Sequence, residues 1–180
     1  IEDDEMNPAN LPVQYEQVTP GEHTSINADV IVETPVSLTV NGEFWLTFMC
    51  TPVDLEAMAV GFLFNEDLIQ SKAELADVRL CDAGDNVDVW LYHSVEKPLN
   101  WRRTSGCTGG VTSVQTDKYI TPSLNGGAFP AEKIGNLISQ LFESQDLYRT
   151  TGGVHTSAVS DGERIILAAD DIGRHNTLDK

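Results

Sequence analysis

The sequence predicts an α/β fold, of the α+β kind with a mixed sheet, on three observations. Two segments show the two-residue alternation of β-hairpins, and two show the apolar spacing of amphipathic helices. The carboxyl-terminal stretch has the pattern of strand, turn, strand and helix. With 180 residues, 41% of them hydrophobic, the chain can form one domain or two small subdomains that share a core.

The first hairpin is predicted around Asn41-Gly42. Alternating apolar residues stand on both sides of this pair, which accepts the positive φ angles of a type I′ turn. Residues 1–29 precede the hairpin, are rich in Pro, Asn and acidic residues, and show no clear period. We expect them to form an extended arm.

The first helix is predicted to follow this hairpin directly. Thr51 is a natural N-cap, Pro52 suits the first helical position, and Asp54 is an acid in the first turn. One apolar face is formed by Leu55, Met58, Ala59, Phe62 and Leu63. This face is expected to pack on the core.

The second half of the chain begins with another hairpin, in VRLCDAGDNVDVWLYH. Residues 94–128 have little regular pattern, as functional loops often do. FPAEKIGNLISQLFESQ is then predicted as an amphipathic helix. Its apolar side is formed by Ile134, Leu137, Ile138, Leu141 and Phe142. The last strands are predicted to turn at Asp161-Gly162, before a helix that opens near Asp171.

The charge and the cysteines restrict the class of protein. Asp and Glu number 28 against 11 Lys and Arg, for a net charge of −17, so a general polyanion binder is not expected. The three cysteines form no Cys-x-x-Cys pair, which favours a reducing compartment. The acidic amino terminus lacks the features of a signal peptide, and no apolar run reaches the roughly 20 residues of a membrane span. We expect a cytoplasmic protein.

Cys107 lies in NWRRTSGCTGGVTSV, with no apolar residue within three positions on either side. A thiol is nucleophilic as thiolate, which nearby positive charge favours, and Arg102 and Arg103 are close in sequence. The glycines around it let the backbone fold tightly around sulfur or a ligand. Composition alone supports a reactive thiol and an incidental surface thiol about equally.

His155 follows Gly152-Gly153 at the start of a predicted strand. A single histidine in such a place is more often a hydrogen-bonded structural residue than a ligand. A zinc deaminase would require His-x-Glu and Pro-Cys-x-x-Cys. Ser157 stands at the position of that Glu and the chain has no paired cysteines, so zinc is not expected.

The third candidate is DDIGRHNTLDK, in which Asp171 ends an apolar strand and a helix begins after Gly173. In α/β proteins, ligands and phosphates bind where a strand ends beside a helix N-terminus. Arg174 and His175 offer charge and hydrogen-bond donors to a phosphate or guanine-bearing ligand. The structural alternative is a capped helix with a salt-bridged Arg174.

Three stretches occur together and in order: ETPVSLTVNG with PVDLEAMAVGFLFNEDLI, the Cys107 loop, and TGGVHTSA with DDIGRHNTLDK. On these the chain resembles the formate dehydrogenase accessory sulfurtransferase family, FdhD, over most of residues 30–180. The DIGRHNTLDK string with GGVH upstream is the most specific part of the resemblance.

The resemblance implies a cytosolic sulfurtransferase that accepts persulfide sulfur from a cysteine desulfurase. It would pass the sulfur to the molybdenum or tungsten bis-pterin guanine dinucleotide cofactor before that cofactor enters apo formate dehydrogenase. The resemblance also implies a cytidine deaminase-like core without zinc, an N-terminal hairpin-and-helix subdomain, and a homodimer. No nucleic-acid or membrane partner is expected.

The site residues are carried over by motif. Cys107 matches the persulfide-carrying cysteine, and His155, Asp171, Arg174 and His175 match positions that line the cofactor cleft. Gly110 stands where many members have a second cysteine, in a Cys-x-x-Cys. A persulfide on Cys107 could therefore not be resolved into an internal disulfide.

The expected division is an arm at 1–29, the hairpin-and-helix subdomain at 30–104 and the core at 105–180. Members of the family continue beyond the motif that contains Lys180, with a segment implicated in binding the guanine nucleotide part. We therefore expect this core to lack its carboxyl-terminal segment.

Two alternatives remain open on the sequence. One is a maturation chaperone that binds the cofactor without transferring sulfur, to which the glycine at position 110 gives some support. The other is a cysteine hydrolase or acyltransferase that pairs Cys107 with His155 and an aspartate.

Overall fold

The computed structural model of the protein describes residues 8–99, 101–103, 111–113 and 129–180; the backbone alone is described for the two short segments. Ten strands and four α-helices lie in these residues. The strands are β1 (Asn10–Thr19), β2 (Glu22–Ile31), β3 (Thr34–Val40), β4 (Glu43–Cys50), β5 (Leu75–Leu80), β6 (Asn86–Leu91), β7 (Trp101–Arg103), β8 (Val111–Ser113), β9 (His155–Ser160) and β10 (Ile165–Asp171). The helices are α1 (Leu55–Asn65), α2 (Ala131–Ser144), α3 (Asp146–Thr151) and α4 (Asn176–Asp179).

A four-stranded sheet in the order β4-β3-β6-β5 forms the centre of the molecule. The pairs β3–β4 and β5–β6 are antiparallel, whereas β3 and β6 are parallel. This confirms the predicted mixed sheet and both predicted hairpins. Asn41 and Gly42 have φ angles of 49° and 81°, as the predicted type I′ turn requires.

Helix α1 covers one face of this sheet and buries the apolar face that the sequence predicts. Leu55, Met58, Ala59, Phe62 and Leu63 are all at most 5% exposed. The ring of Phe62 meets that of Phe48 edge to face, with 5.1 Å between centroids. The core shared by sheet and helix also includes Val36, Leu38, Val40, Trp45, Leu46, Cys50, Ile69, Val87, Val89 and Leu91.

The predicted start of α1 is wrong. The helix begins at Leu55, after Asp54, which has a left-handed φ of 50° and provides no side-chain cap. Thr51, the predicted N-cap, is fully buried, and its backbone N–H and its hydroxyl oxygen bond to residues 120 and 121 positions away. These distant partners replace the local capping bond that the sequence pattern predicts.

Residues 10–31 form a hairpin, which includes most of the predicted amino-terminal arm. Strands β1 and β2 pair antiparallel over ten positions around a turn at Pro20-Gly21, where Gly21 has a φ of 87°. The sequence pattern predicts an extended arm without this pairing, because Pro, Asn and acidic residues obscure the alternation of apolar residues in the two strands. The hairpin packs mainly against α3.

Helices α2 and α4 form a layer with β9 and β10, which pair antiparallel through the predicted turn at Asp161-Gly162. The predicted amphipathic helix is α2, and it contacts both strands. Its Ile134, Ile138 and Phe142 are nevertheless 45–63% exposed. Helix α4 contacts α1 and both strands, and so joins this layer to the central sheet.

Strands β7 and β8 flank the predicted Cys107 loop. Arg103 pairs with Val111, so the seven residues 104–110 connect the two strands, and Cys107 is the central one in sequence. The cysteine itself lies outside the described residues. None of the helices in the described part of the chain is long and apolar enough to span a membrane.

Candidate functional site

Four predicted site residues lie at one end of the β9–β10 ribbon. His155 is the first residue of β9 and Asp171 the last of β10, and the two are paired in the antiparallel register. Arg174 and His175 follow in the loop that leads to α4. The fold therefore brings together two motifs that are 16 positions or more apart in sequence.

Asp171 is fully buried, and its carboxylate accepts hydrogen bonds from several donors. Oδ1 accepts the backbone N–H of Gly173 at 2.6 Å and Nδ2 of Asn176 at 2.8 Å. Oδ2 accepts the backbone N–H of Thr51 at 3.0 Å and forms an ion pair with Lys180 Nζ at 2.7 Å. With both oxygens engaged inside the protein, Asp171 fixes the loop that follows it.

Thr51 also binds the segment that follows Asp171. Its Oγ1 accepts the backbone N–H of Ile172 at 3.0 Å, and its carbonyl oxygen accepts a hydrogen bond from Lys180 Nζ at 3.0 Å. Backbone and side chain of Thr51 thus both contact the motif at residues 171–180. The sequence pattern predicts a helix cap at this residue, because no local signal points to partners so distant in the chain.

Lys180 completes the buried network. Its side chain is fully buried, and Nζ donates to the carbonyl oxygens of Thr51 and Asp170, at 3.0 and 3.2 Å, beside its ion pair with Asp171. An ammonium group has three hydrogens, and here three acceptors surround it. The charge pair is therefore satisfied in the interior, as a buried pair must be to persist.

Asn176 and Thr177 fix the start of α4. Asn176 is 4% exposed and donates from Nδ2 to the carbonyl oxygen of Met49, at the end of β4. Thr177 Oγ1 donates to the carbonyl oxygen of Arg174 at 2.8 Å and meets the hydroxyl of Ser157 at 2.6 Å. Because these anchors lie inside the fold, Arg174 stays exposed and His175 half-buried on a fixed loop.

His155 lies on the surface beside this loop, after a turn of defined shape. Gly152 ends α3 with a φ of 67°, and its N–H donates to the carbonyl oxygen of Tyr148 at 2.7 Å. At Gly153 an added Cβ would lie 2.8 Å from Ile31 Cγ2, so the close approach of β2 requires glycine there. Buried Val154 then directs the chain into β9, with His155 exposed.

A second polar contact, between Asp179 and Asn65, joins α4 to α1. Asp179 accepts a hydrogen bond from Asn65 Nδ2 at 2.7 Å, and its carbonyl oxygen would lie 1.8 Å from a Cβ added at Gly61. Burial, together with the negative charges of Glu66 and Asp171, raises the pKa of Asp179 to about 6. The hydrogen bond from Asn65 works in the opposite direction but does not cancel the effect.

The described residues include two cysteines, Cys50 and Cys81. Cys50 is fully buried, and burial and the negative charge of Asp171 raise its thiol pKa to about 12. A thiol in that state is not a nucleophile near neutral pH. The thiol of Cys81 donates to Asp85 Oδ1 at 3.1 Å. Burial therefore excludes Cys50 as a carrier, while Cys107 stays a prediction of the sequence.

Metal ligation has no candidate in the described ranges. No group of three or more His, Cys, Asp or Glu side chains is placed there to hold a metal ion. The buried polar residues of the site instead hold the loop in place. Exposed Arg174, exposed His155 and half-buried His175 lie beside them.

Comparison with known proteins assigns this arrangement to a family. Residues 31–180 match the model of the FdhD/NarQ family, and they include both motifs of the site. The chain belongs to the FdhD/NarQ family. This confirms the resemblance found on the sequence motifs.

Curated members of the FdhD/NarQ family align with most of the chain. The sulfur carrier protein FdhD of Shouchella clausii is 30% identical over 172 residues, which cover 89% of this chain and 63% of that protein. The sulfur carrier protein FdhD of Bacillus pumilus is 31% identical over 173 residues, covering 91% and 65%. The chain thus spans somewhat less than two thirds of the length of these relatives.

The fold also matches a solved structure. A crystal structure of a candidate formate dehydrogenase accessory protein from Desulfotalea psychrophila superimposes with a TM-score of 0.68 and is 23% identical. The match covers 96% of this chain and 64% of that one. The amino-terminal hairpin, which precedes the matched family residues, is therefore largely within the shared fold.

Proposed function

We propose that this protein is a sulfur carrier for formate dehydrogenase. It receives persulfide sulfur from a cysteine desulfurase on Cys107 and passes it to the bis-pterin guanine dinucleotide cofactor, in its molybdenum or tungsten form. The cofactor is the substrate that carries the sulfur into apo formate dehydrogenase. Membership of a family whose relatives are named sulfur carrier proteins supports this role.

The observation that carries the proposal is the anchored loop at residues 172–175. Four donors on the buried carboxylate of Asp171 and the hydroxyl of Thr51 hold the backbone, so Arg174 and His175 are presented on a fixed surface beside His155. A guanidinium group and imidazoles are suited to bind phosphate and guanine groups. This loop is the proposed contact for the nucleotide part of the substrate.

The chemistry of loading requires an accessible thiolate on Cys107. That thiolate attacks the outer sulfur of the desulfurase persulfide, the S–S bond breaks, and the desulfurase cysteine leaves as thiolate. The outer sulfur is then held on Cys107 as a persulfide, and no external oxidant is needed. With glycine at position 110, the segment offers no second thiol that could displace this sulfur.

Mass spectrometry tests the loading step directly. The protein is incubated with a cysteine desulfurase and free cysteine, and its peptides are then measured with and without reductant. We expect one added sulfur atom on the Cys107 peptide, reversed by reductant and absent from the Cys50 and Cys81 peptides. Absence of sulfur from the Cys107 peptide contradicts the carrier role.

The Cys107→Ala variant tests whether that sulfur is used. We expect the variant to fold as the wild type does but to support no maturation of formate dehydrogenase. Full maturation by this variant, with cofactor still bound, would instead identify a maturation chaperone. His155→Ala serves as the comparison, because it removes a proposed substrate contact and leaves the thiol in place.

A further inference from the structure

The amino-terminal hairpin is a long ribbon with open edges. Strands β1 and β2 have ten residues each, and within the described ranges no other strand pairs with either of them. Two strands alone are marginally stable in water and gain from a cover on their apolar face. The packing of the hairpin on α3 leaves most of its length exposed.

One face of this hairpin is apolar. The pairing register places six residues on it: Leu11, Val13, Tyr15, Ile26, Ala28 and Val30. The larger side chains of Leu11, Tyr15 and Val30 are 44–49% exposed. Exposed apolar surface framed by polar residues is typical of protein–protein contact sites.

The charge around this face has one sign. Residues 1–71 contain 13 Asp and Glu and no Lys or Arg, so all 11 basic residues lie in residues 72–180. In the register Glu22 shares the apolar face, whereas Glu16 and Asp29 lie on the opposite face of the same two-stranded ribbon. A second copy seated by the apolar face would bring together two hairpins that carry acidic residues and no Lys or Arg, which is unfavourable. The complementary occupant is a surface with Lys and Arg around an apolar centre.

The base of the hairpin adjoins the candidate site. Ile31, the last residue of β2, lies against Gly153, two residues before His155. Ile31 belongs to the opposite face of the ribbon, so a protein seated on the apolar face at this end is separated from the Gly152–His155 turn by the thickness of the ribbon. In the proposed function the sulfur comes from a protein and goes to a small molecule, so the donor is the protein that must dock for loading.

We infer that the apolar face of the β1–β2 hairpin, together with the acidic charge that the hairpin carries, is the docking surface for the sulfur donor. The donor is a cysteine desulfurase that presents an apolar patch edged by Lys and Arg, and the inference rests on the proposed function. Charge of opposite sign speeds the encounter of two proteins and is screened by salt. A sulfur carrier must bind its donor and dissociate from it in each cycle, and a charged contact that salt screens is suited to this.

The test is the affinity of the full chain for the purified cysteine desulfurase of the same organism, measured by isothermal titration calorimetry. One variant combines Glu16→Lys with Glu22→Lys, and another carries Tyr15→Ser in the apolar face. The matched control combines Glu132→Lys with Glu143→Lys on α2, which makes the same change in net charge. Melting curves by circular dichroism verify that each variant is folded.

We expect both hairpin variants to weaken binding about tenfold at low salt, and the control to stay within about twofold. The difference between the charge variant and the wild type should shrink at high salt. Equal affinity of the wild type and both hairpin variants, or no binding by the wild type, overturns the docking inference. A wild-type dimer that the Tyr15→Ser change dissociates also overturns it, in favour of a second copy.

Sulfur loading of Cys107, measured on the same samples, separates this inference from the proposed function. Normal loading of the hairpin variants with unchanged affinity leaves the carrier role standing and removes the docking role of the hairpin. A wild type that binds the desulfurase through the hairpin but gains no sulfur supports the docking surface and contradicts the carrier role.

Discussion

Thr51 and Asp171, 120 positions apart in sequence, are joined by a hydrogen bond of 3.0 Å between the backbone N–H of Thr51 and Oδ2 of Asp171. Ile172 directly follows Asp171, and its backbone N–H donates to Oγ1 of Thr51 at 3.0 Å. This reciprocal contact links the end of β4 to the end of β10. The central sheet thereby fixes the loop that presents Arg174 and His175.

Removal of the Thr51 hydroxyl should loosen this loop. In Thr51→Val the N–H of Ile172 loses its acceptor with little change in side-chain shape. We expect a loss of about 1–3 kcal/mol in the free energy of unfolding, the usual cost of an unsatisfied polar group. Urea unfolding measures it. Thr51→Ser keeps the hydroxyl and should recover most of the loss; a serine variant as unstable as the valine one would contradict the role of this bond.

Breaking the buried ion pair should cost more than breaking an exposed one. The side chains of Asp171 and Lys180 are both fully buried, so Lys180→Met leaves a carboxylate without its counter-charge. We expect about 3–5 kcal/mol of destabilisation, with partial recovery when Asp171→Asn is added. A double-mutant cycle by urea unfolding gives both values.

The control for this cycle is Arg79→Met, which removes an exposed partner of Asp77. Pairs in solvent contribute little because water screens them. A Lys180→Met variant no less stable than Arg79→Met would show that the buried pair does not hold the loop.

Gly61 permits the close contact between α1 and α4. A Cβ added there would lie 1.8 Å from the carbonyl oxygen of Asp179, which belongs to the backbone and can move only with α4. We expect Gly61→Ala to destabilise the protein by about 1–3 kcal/mol through overpacking. Thermal unfolding measures this change.

Gly135→Ala in α2 is the matched control. Nothing lies within 4 Å of a Cβ built at Gly135, and alanine favours a helix over glycine. We expect this change to stabilise the protein by about 0.5–1 kcal/mol. Two variants that shift the melting temperature in the same direction would contradict the packing argument at Gly61.

Asp179 should make stability depend on pH. Its pKa is about 6 in the folded protein against the ordinary value of 3.8, so between about pH 4 and 6 the folded state binds more protons than the unfolded state. Stability contributed by this group is greatest below about pH 4 and falls as the pH rises through 6. We expect Asp179→Asn to remove this slope and to raise the free energy of unfolding at neutral pH by on the order of 1–3 kcal/mol.

Asp161 provides the contrast of opposite sign. Backbone hydrogen bonds from Arg164 and Glu163 lower the pKa of its exposed carboxyl, so its contribution is present at neutral pH and is lost in acid. Unfolding curves between about pH 3 and 8 compare Asp179→Asn and Asp161→Asn with the wild type. Parallel pH profiles for Asp179→Asn and the wild type would refute the raised pKa.

The parts of the fold that local chemistry determines were predictable from the sequence. Asn41-Gly42 specifies its turn, and the spacing of Leu55, Met58 and Phe62 identifies the buried face of α1, because both signals lie within a few residues. The start of α1 was not predictable. Its nearest capping residue, Thr51, is bound to partners more than a hundred positions away.

The candidate site divides in the same way. His155, Arg174 and His175 stand in polar motifs that predict them as candidate site residues, and the fold places all three at one end of β9–β10. Lys180 and Thr51 carry no such mark, since their importance arises from burial around Asp171. Asp171 itself was assigned to the cleft, and its full burial makes it a positioning residue in the proposed mechanism.

The three acceptors around Lys180 Nζ have a consequence for chemical labelling. The Lys180 side chain is fully buried and hydrogen-bonded, so an amine-directed acylating reagent cannot reach Nζ while the loop at residues 172–175 stays packed. Lys72 is exposed and should react at once. The rate at which Lys180 becomes labelled therefore reports how often residues 172–175 detach from the sheet, and tight binding of substrate to this loop should slow it.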